Sequence, residues 1–222
     1  MKREGGFLKQ IHYLAVEGCV GAGKTSFCNI LATKLNARLI MEDVAENPFI
    51  GDFYKDRARY AFQAQIFFLL SRYRQQLEIT QKDLFYNLVV SDYMFARDRI
   101  FASMNLNDQE LSLYESVAEV LEKTIPKPDF IIYLQATTDR LLKNIRQRGR
   151  KYEEMFDPEY LAALNEAYNH FFFNYTDAPV LIVDASDIDF IRSAEDLDEI
   201  LREVDKGAKG TRFLKPLSHP GK

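Results

Sequence analysis

With 222 residues, 47% apolar and 28% charged, the chain has the make-up of one soluble α/β domain with a full core. A formal net charge of −4 argues against a broad grip on a nucleic-acid backbone, and no apolar run is long enough to span a bilayer. Met1-Lys2-Arg3-Glu4-Gly5-Gly6 has no signal-peptide core, and Cys19 and Cys28 form no C-x-x-C or zinc pattern. A single domain over 1–222 in the cytoplasm is expected, with no membrane or nucleic-acid partner.

Apolar segments at 11–17, 38–42, 86–91, 130–135 and 179–184 read as strands. Helical spacing covers 23–36, 58–82, 94–104, 108–124, 138–149, 157–176 and 193–206. This alternation predicts a five-stranded parallel sheet with helices on both faces, and ligands beyond the carboxyl ends of its strands. Residues 206–222, rich in Lys, Gly and Pro, read as a mobile or surface-docked tail.

The first strand runs into Gly18-Cys19-Val20-Gly21-Ala22-Gly23-Lys24-Thr25, followed by Ser26 and a helical pattern. The spacing G-x-x-x-x-G-K-[ST] between a strand and a helix is a P-loop. Its glycines let backbone amides surround a phosphate, and the helix directs its positive end there. Lys24 would reach the β- and γ-phosphates, and the Thr25 hydroxyl would ligate Mg²⁺. Cys19 reads as a loop-filling side chain and Cys28 as packing.

The second strand ends in Glu42-Asp43 and the third in Ser91-Asp92, so two carboxylates share the phosphate edge. Glu42 is either a catalytic acid facing a hydroxyl or a solvated loop acid. Asp92 is either a magnesium ligand or a helix N-cap. Gln65 sits among Ala61, Phe62, Phe68 and Leu69 on the long helix, so its amide needs a buried partner. A nucleobase edge and a backbone carbonyl are the two alternatives. After the fourth strand, Thr137-Thr138-Asp139 caps a helix ending in Arg146-Gln147-Arg148-Gly149-Arg150. Three arginines in five residues exceed what a helix end needs and suit a lid over a transferring phosphoryl group. Glu153 either pairs with Arg150 or reaches into the pocket.

Together these parts resemble the deoxyribonucleoside kinase family over about residues 10 to 215. Glu42-Asp43-Val44 stands where the family has Glu-Pro-Val, which implies that Glu42 is the base taking the proton of a nucleoside 5′-hydroxyl. The resemblance further implies Tyr54 and Glu153 on the sugar 3′-hydroxyl, and Gln65, Arg72, Asp98, Arg99 and Phe101 around the base. Arg148 and Arg150 become the lid pair, Val183-Asp184-Ala185-Ser186 the loop at the donor's adenine, and Asp92 with Thr25 the Mg²⁺ ligands. It implies a P-loop nucleoside triphosphate hydrolase-like fold, ATP as donor, a nucleotide-salvage role and a homodimer. Arg72 and Asp98 suit an amino-substituted base, favouring deoxyadenosine, deoxyguanosine or deoxycytidine over thymidine.

Three positions depart from the family pattern. The acid-Arg-Ser motif after strand three is Ser91-Asp92-Tyr93, so its arginine falls on Tyr93, with Arg97 and Arg99 as neighbouring substitutes. Asp43 replaces a proline, and Asn144 stands where the lid often carries another arginine. Two rivals share parts of this pattern. A thymidylate kinase-like enzyme needs extra cations for an acceptor phosphate, whereas Glu42–Glu46 and the Gln65 face supply carboxylates and amides. A nucleotide switch without small-molecule phosphorylation would use the aromatic helix around Phe62 to Leu70 as a partner surface.

Overall fold

The computed structural model describes residues 6–79, 85–150, 157–188, 194–207 and 209–216. Six strands form one parallel sheet: β1 (Tyr13–Glu17), β2 (Arg38–Ile40), β3 (Val89–Ser91), β4 (Phe130–Gln135), β5 (Val180–Asp184) and β6 (Thr211–Leu214). Their order is β2-β3-β1-β4-β5-β6. The helices are α1 (Lys24–Leu35), α2 (Ile50–Lys55), α3 (Arg57–Ile79), α4 (Asp98–Asn105), α5 (Asp108–Glu122), α6 (Thr138–Arg148), α7 (Pro158–Phe173) and α8 (Ala194–Asp205).

Every residue of β1 is buried, as are all but the last of β4 and β5. Such strands have both faces covered, which explains their unbroken apolar sequence. Removing the ring of Phe130, which is fully buried at the start of β4, would cost about 3–5 kcal/mol. Local signals start the helices. Asn107 and Glu110 form a capping box on α5, Thr137 accepts the Arg140 amide on α6, and Asp157 caps α7 ahead of Pro158.

Three features differ from the sequence expectation. The sheet has six strands, because part of the expected tail, Thr211–Leu214, pairs in parallel with the open edge of β5. Its half-exposed side chains carry little apolar signal. Residues 44–55, to which the sequence pattern assigns no element, contain a 3₁₀ turn (Val44–Glu46) and α2, both too short for periodicity to register. Within the expected helix 94–104, Phe95–Arg97 is a 3₁₀ turn that precedes α4. No helix among the described residues is long and apolar enough to cross a membrane.

β1 lies between β3 and β4, so the chain changes direction across the sheet at β1. That opens a crevice at the carboxyl edge. The register sets Ala15 and Ile40 opposite Ser91, which brings the residues after β2 and β3 together beside the glycine loop.

Candidate active site

Two adjoining hollows occupy this edge, and both are lined by Gly21, Lys24, Thr25, Arg148 and Arg150. The first extends over Val20, Glu42, Tyr54, Gln65, Phe68, Arg72, Asp92, Arg97 and Phe101. The second extends over Ala22, Gly23, Ser26, Arg140, Asn144 and Ala185. The shared wall carries three cations and the phosphate loop.

The loop closes tightly under α6. Gly21 has φ +88°, and a Cβ there would lie 2.7 Å from the Leu141 carbonyl oxygen. Only glycine fits without strain. Asn144 donates to the Gly21 carbonyl at 2.8 Å, so the residue at the family's arginine position ties the lid helix to the loop. The Lys24 ammonium donates to the carbonyls of Gly18 and Cys19 at 2.8 and 3.1 Å. Burial lowers its pKa, and the nearby Arg97 charge acts in the same direction. Cys19 is buried and its thiol is pushed up to about 12, which fits a filling role. Cys28 is buried too. At the lid, α6 ends on Gly149 in the left-handed conformation, φ +63°, between Arg148 and Arg150.

The Asp92 carboxylate accepts the Glu42 amide at 2.9 Å and the Thr25 hydroxyl at 3.4 Å. Its place is therefore the phosphate edge rather than a helix cap. Burial raises its pKa. The Thr25 hydroxyl and Asp92 carboxylate converge as hard oxygen donors, the kind Mg²⁺ takes alongside nucleotide phosphates. Among the described residues no cluster of three or more His, Cys, Asp or Glu forms a closed metal site.

Glu42 is gripped from both sides. Arg72 on α3 donates through Nε to Oε1 at 2.7 Å, and Arg97 from the 3₁₀ turn pairs with Oε2. Burial opposes ionisation of Glu42, but these two guanidiniums outweigh it and bring its pKa to about 2. The carboxylate is thus ionised throughout the neutral range. Arg97 also faces Glu17 at 3.5 Å. Glu17 is fully buried and accepts the Met94 amide at 2.6 Å and the Gly18 amide at 3.3 Å. Asp43 turns away to cap the 3₁₀ turn through the Ala45 amide, so it adds no charge to the pocket.

The base-side residues are organised at second hand. Gln65 donates through Nε2 to the Asp98 carbonyl at 3.0 Å, a backbone partner, and also lines the hollow. Asp98 is itself buried, pairs with Arg72 and accepts the Tyr114 hydroxyl at 2.8 Å. Arg72 lies over the Phe68 ring at 4.9 Å, and Phe101 packs edge-on against Tyr168 at 6.0 Å. Tyr54 lines the same hollow. On the donor side Ala185 lines the hollow, while Asp184 accepts the Ser186 amide at 3.1 Å and faces Lys215 at 3.8 Å. Glu153 lies outside the described residues.

Of the two substitutes for the missing arginine, Arg97 enters the site and Arg99 pairs with Glu122 at 2.8 Å outside it. Sequence reasoning missed Glu17. Its signal was a lone acid closing an otherwise apolar strand directly before the loop.

This geometry agrees with what the chain is similar to. A sequence profile described as deoxynucleoside kinase matches residues 14–208. The chain belongs to the deoxynucleoside kinase family. It is 35% identical to a deoxyguanosine kinase of Bacillus subtilis over 199 residues, covering 86% of this chain and 95% of that relative. It is 30% identical to a deoxyadenosine kinase of Lactobacillus acidophilus, covering 88% and 96%. A solved deoxyadenosine kinase of M. mycoides with bound dATP superposes with a TM-score of 0.76 at 27% identity, covering 86% of this chain and 98% of that one. Family membership makes the chain a kinase whose phosphoryl donor is ATP.

Proposed function

We propose that the chain transfers the γ-phosphoryl group of ATP to the 5′-hydroxyl of a purine deoxyribonucleoside or deoxycytidine, in nucleotide salvage. The observation that carries this reading is the shared wall between the two hollows. Lys24, Arg148 and Arg150 face both, and Glu42 stands on the aromatic side of that wall. A nucleoside in the aromatic hollow would bring its hydroxyl to Glu42, with the triphosphate on the loop side.

The hydroxyl oxygen attacks the γ-phosphorus, and its proton passes to the Glu42 carboxylate. As the new P–O bond forms, the bond to the β–γ bridging oxygen breaks and its electron pair leaves with ADP. Glu42 orients the hydroxyl and accepts a proton late, as suits a carboxylate held strongly ionised. Lys24, Arg148 and Arg150 carry the charge that spreads over the moving phosphoryl group. Mg²⁺, held by Thr25 and Asp92, would neutralise phosphate charge. Tyr54 takes the sugar 3′-hydroxyl and Phe101 faces the base. Arg72, locked by Asp98, frames the base edge, and Gln65 orders that frame through the Asp98 carbonyl.

Deoxyguanosine and deoxyadenosine are the substrates named for the relatives above, which supports an amino-substituted purine here. A cytoplasmic homodimer is part of the proposal. Leu113 and Val120, exposed seven residues apart on α5, support an assembly face. Incubating the protein with ATP, Mg²⁺ and each of the four deoxyribonucleosides tests the reading. The expected products are ADP and a 5′-monophosphate from one or more of deoxyadenosine, deoxyguanosine and deoxycytidine. ADP release indifferent to every nucleoside would contradict it.

A further inference from the structure

A line of alternating charge runs under the hollow: Glu17, Arg97, Glu42, Arg72 and Asp98. Its two ends differ. Asp98 leads to the base side, whereas Glu17 is the last residue of β1 and adjoins Gly18, the first of the phosphate loop. Resting on the kinase reading above, we infer that Arg97 is the positioning residue of the general base. Its guanidinium, braced by Glu17, registers the Glu42 carboxylate against the phosphate loop.

Four observations carry this. First, Glu42 follows a strand of only three residues, so its side chain depends on lateral contacts for its orientation. Second, Arg97 grips Oε2 while Arg72 holds Oε1, so each oxygen has its own guanidinium. Third, Glu17 cannot follow a moving partner, because two main-chain amides fix its carboxylate from the loop and from Met94. Fourth, Arg97 is buried, stands 3.5 Å from both Glu17 and the Asp92 carbonyl, and lies 5.8 Å from the centre of the Tyr93 ring. Tyr93 donates its own hydroxyl to Gln75 at 2.6 Å, which holds that ring in place. The two-residue combination of Tyr93 and Arg97 thus delivers a guanidinium from the 3₁₀ turn, not from the position directly after Asp92. An arginine suits this task because one planar fork spans two carboxylates, which a single ammonium does not.

The test compares kcat, nucleoside KM and calorimetric nucleoside Kd for the wild type, Arg97→Ala, Arg97→Lys, Glu17→Gln and the double variant Glu17→Gln/Arg97→Lys. Arg97→Ala is expected to lower kcat on the order of 10²-fold with Kd held within a few-fold, and added guanidinium ion should restore part of the rate. Arg97→Lys should lose roughly tenfold in kcat, again with Kd kept. Glu17→Gln should lose kcat without Kd, and the double variant should lose less than the two single losses combined. If Arg97→Ala does not fold, Arg97→Lys and the cycle with Glu17→Gln decide alone. Wild-type kcat in Arg97→Lys, a loss confined to KM and Kd, or fully additive losses would overturn the inference while leaving the kinase reading intact. A wild type that phosphorylates no nucleoside would overturn both.

Discussion

On the donor side the protein offers a glycine backbone and exposed arginines. On the acceptor side it offers buried side chains that are already paired. Gly21, Gly23, Arg148 and Arg150 are partly or fully exposed, whereas Arg72, Arg97 and Asp98 are each buried. The difference follows from the ligands proposed for each side. A polyphosphate brings its own charge, which backbone amides and exposed cations beside the loop meet directly. A nucleoside is neutral, so the groups that orient it must be held by one another, and a buried charge without a partner is costly.

The largest effect expected from breaking this contrast is on the donor side. Lys24→Ala removes the cation shared by both hollows and should lower kcat/KM on the order of 10³-fold, with nucleoside Kd little changed. Steady-state kinetics with calorimetry separate the two quantities. Next comes the lid: Arg148→Ala should reduce kcat on the order of 10²-fold without altering thermal stability, because the residue is exposed. A large fall in Tm would show instead that the lid arginine belongs to the packed structure.

The phosphate loop was legible in the sequence because its function lies in contiguous backbone and so leaves a contiguous motif. Glu42 and Asp92 were legible as acids following parallel strands, a consequence of where such sheets place ligands. Arg97 was not distinguishable from Arg99 by sequence. A 3₁₀ turn ends at Arg97 and α4 starts at Asp98, and that change of helical phase turns one arginine inward and the other toward Glu122. Glu17 escaped notice because its tertiary partners, Met94 and Arg97, are 77 and 80 positions away. β6 escaped because an edge strand with exposed side chains resembles a polar tail. Gln65 was recognised as a buried amide needing a partner, but its partner belongs to another helix and only the fold supplies it.

Two smaller effects sharpen the same comparison. Gly21→Ala forces a Cβ against the Leu141 carbonyl at a strained φ, which should cost about 1–3 kcal/mol of stability and show as a lowered Tm. On the acceptor side, Glu42 has a pKa of about 2 in place of 4.5. Between those values the unfolded chain binds the extra proton, so stability rises with pH across that window. The contribution is complete above 4.5 and is lost as pH falls toward 2. Glu42→Gln should flatten that part of the profile, read as urea midpoints inside and above the window. An unchanged slope would show that Arg72 and Arg97 do not hold an ionised Glu42.

The most direct test of the central claim is to measure kcat and nucleoside Kd of Glu42→Gln on the preferred nucleoside. Glutamine keeps the shape but accepts no proton and leaves Arg72 and Arg97 without their shared anion. The account predicts a loss of kcat on the order of 10³-fold or more with Kd within a few-fold of the wild type. Turnover close to wild type would contradict it and remove Glu42 from the reaction.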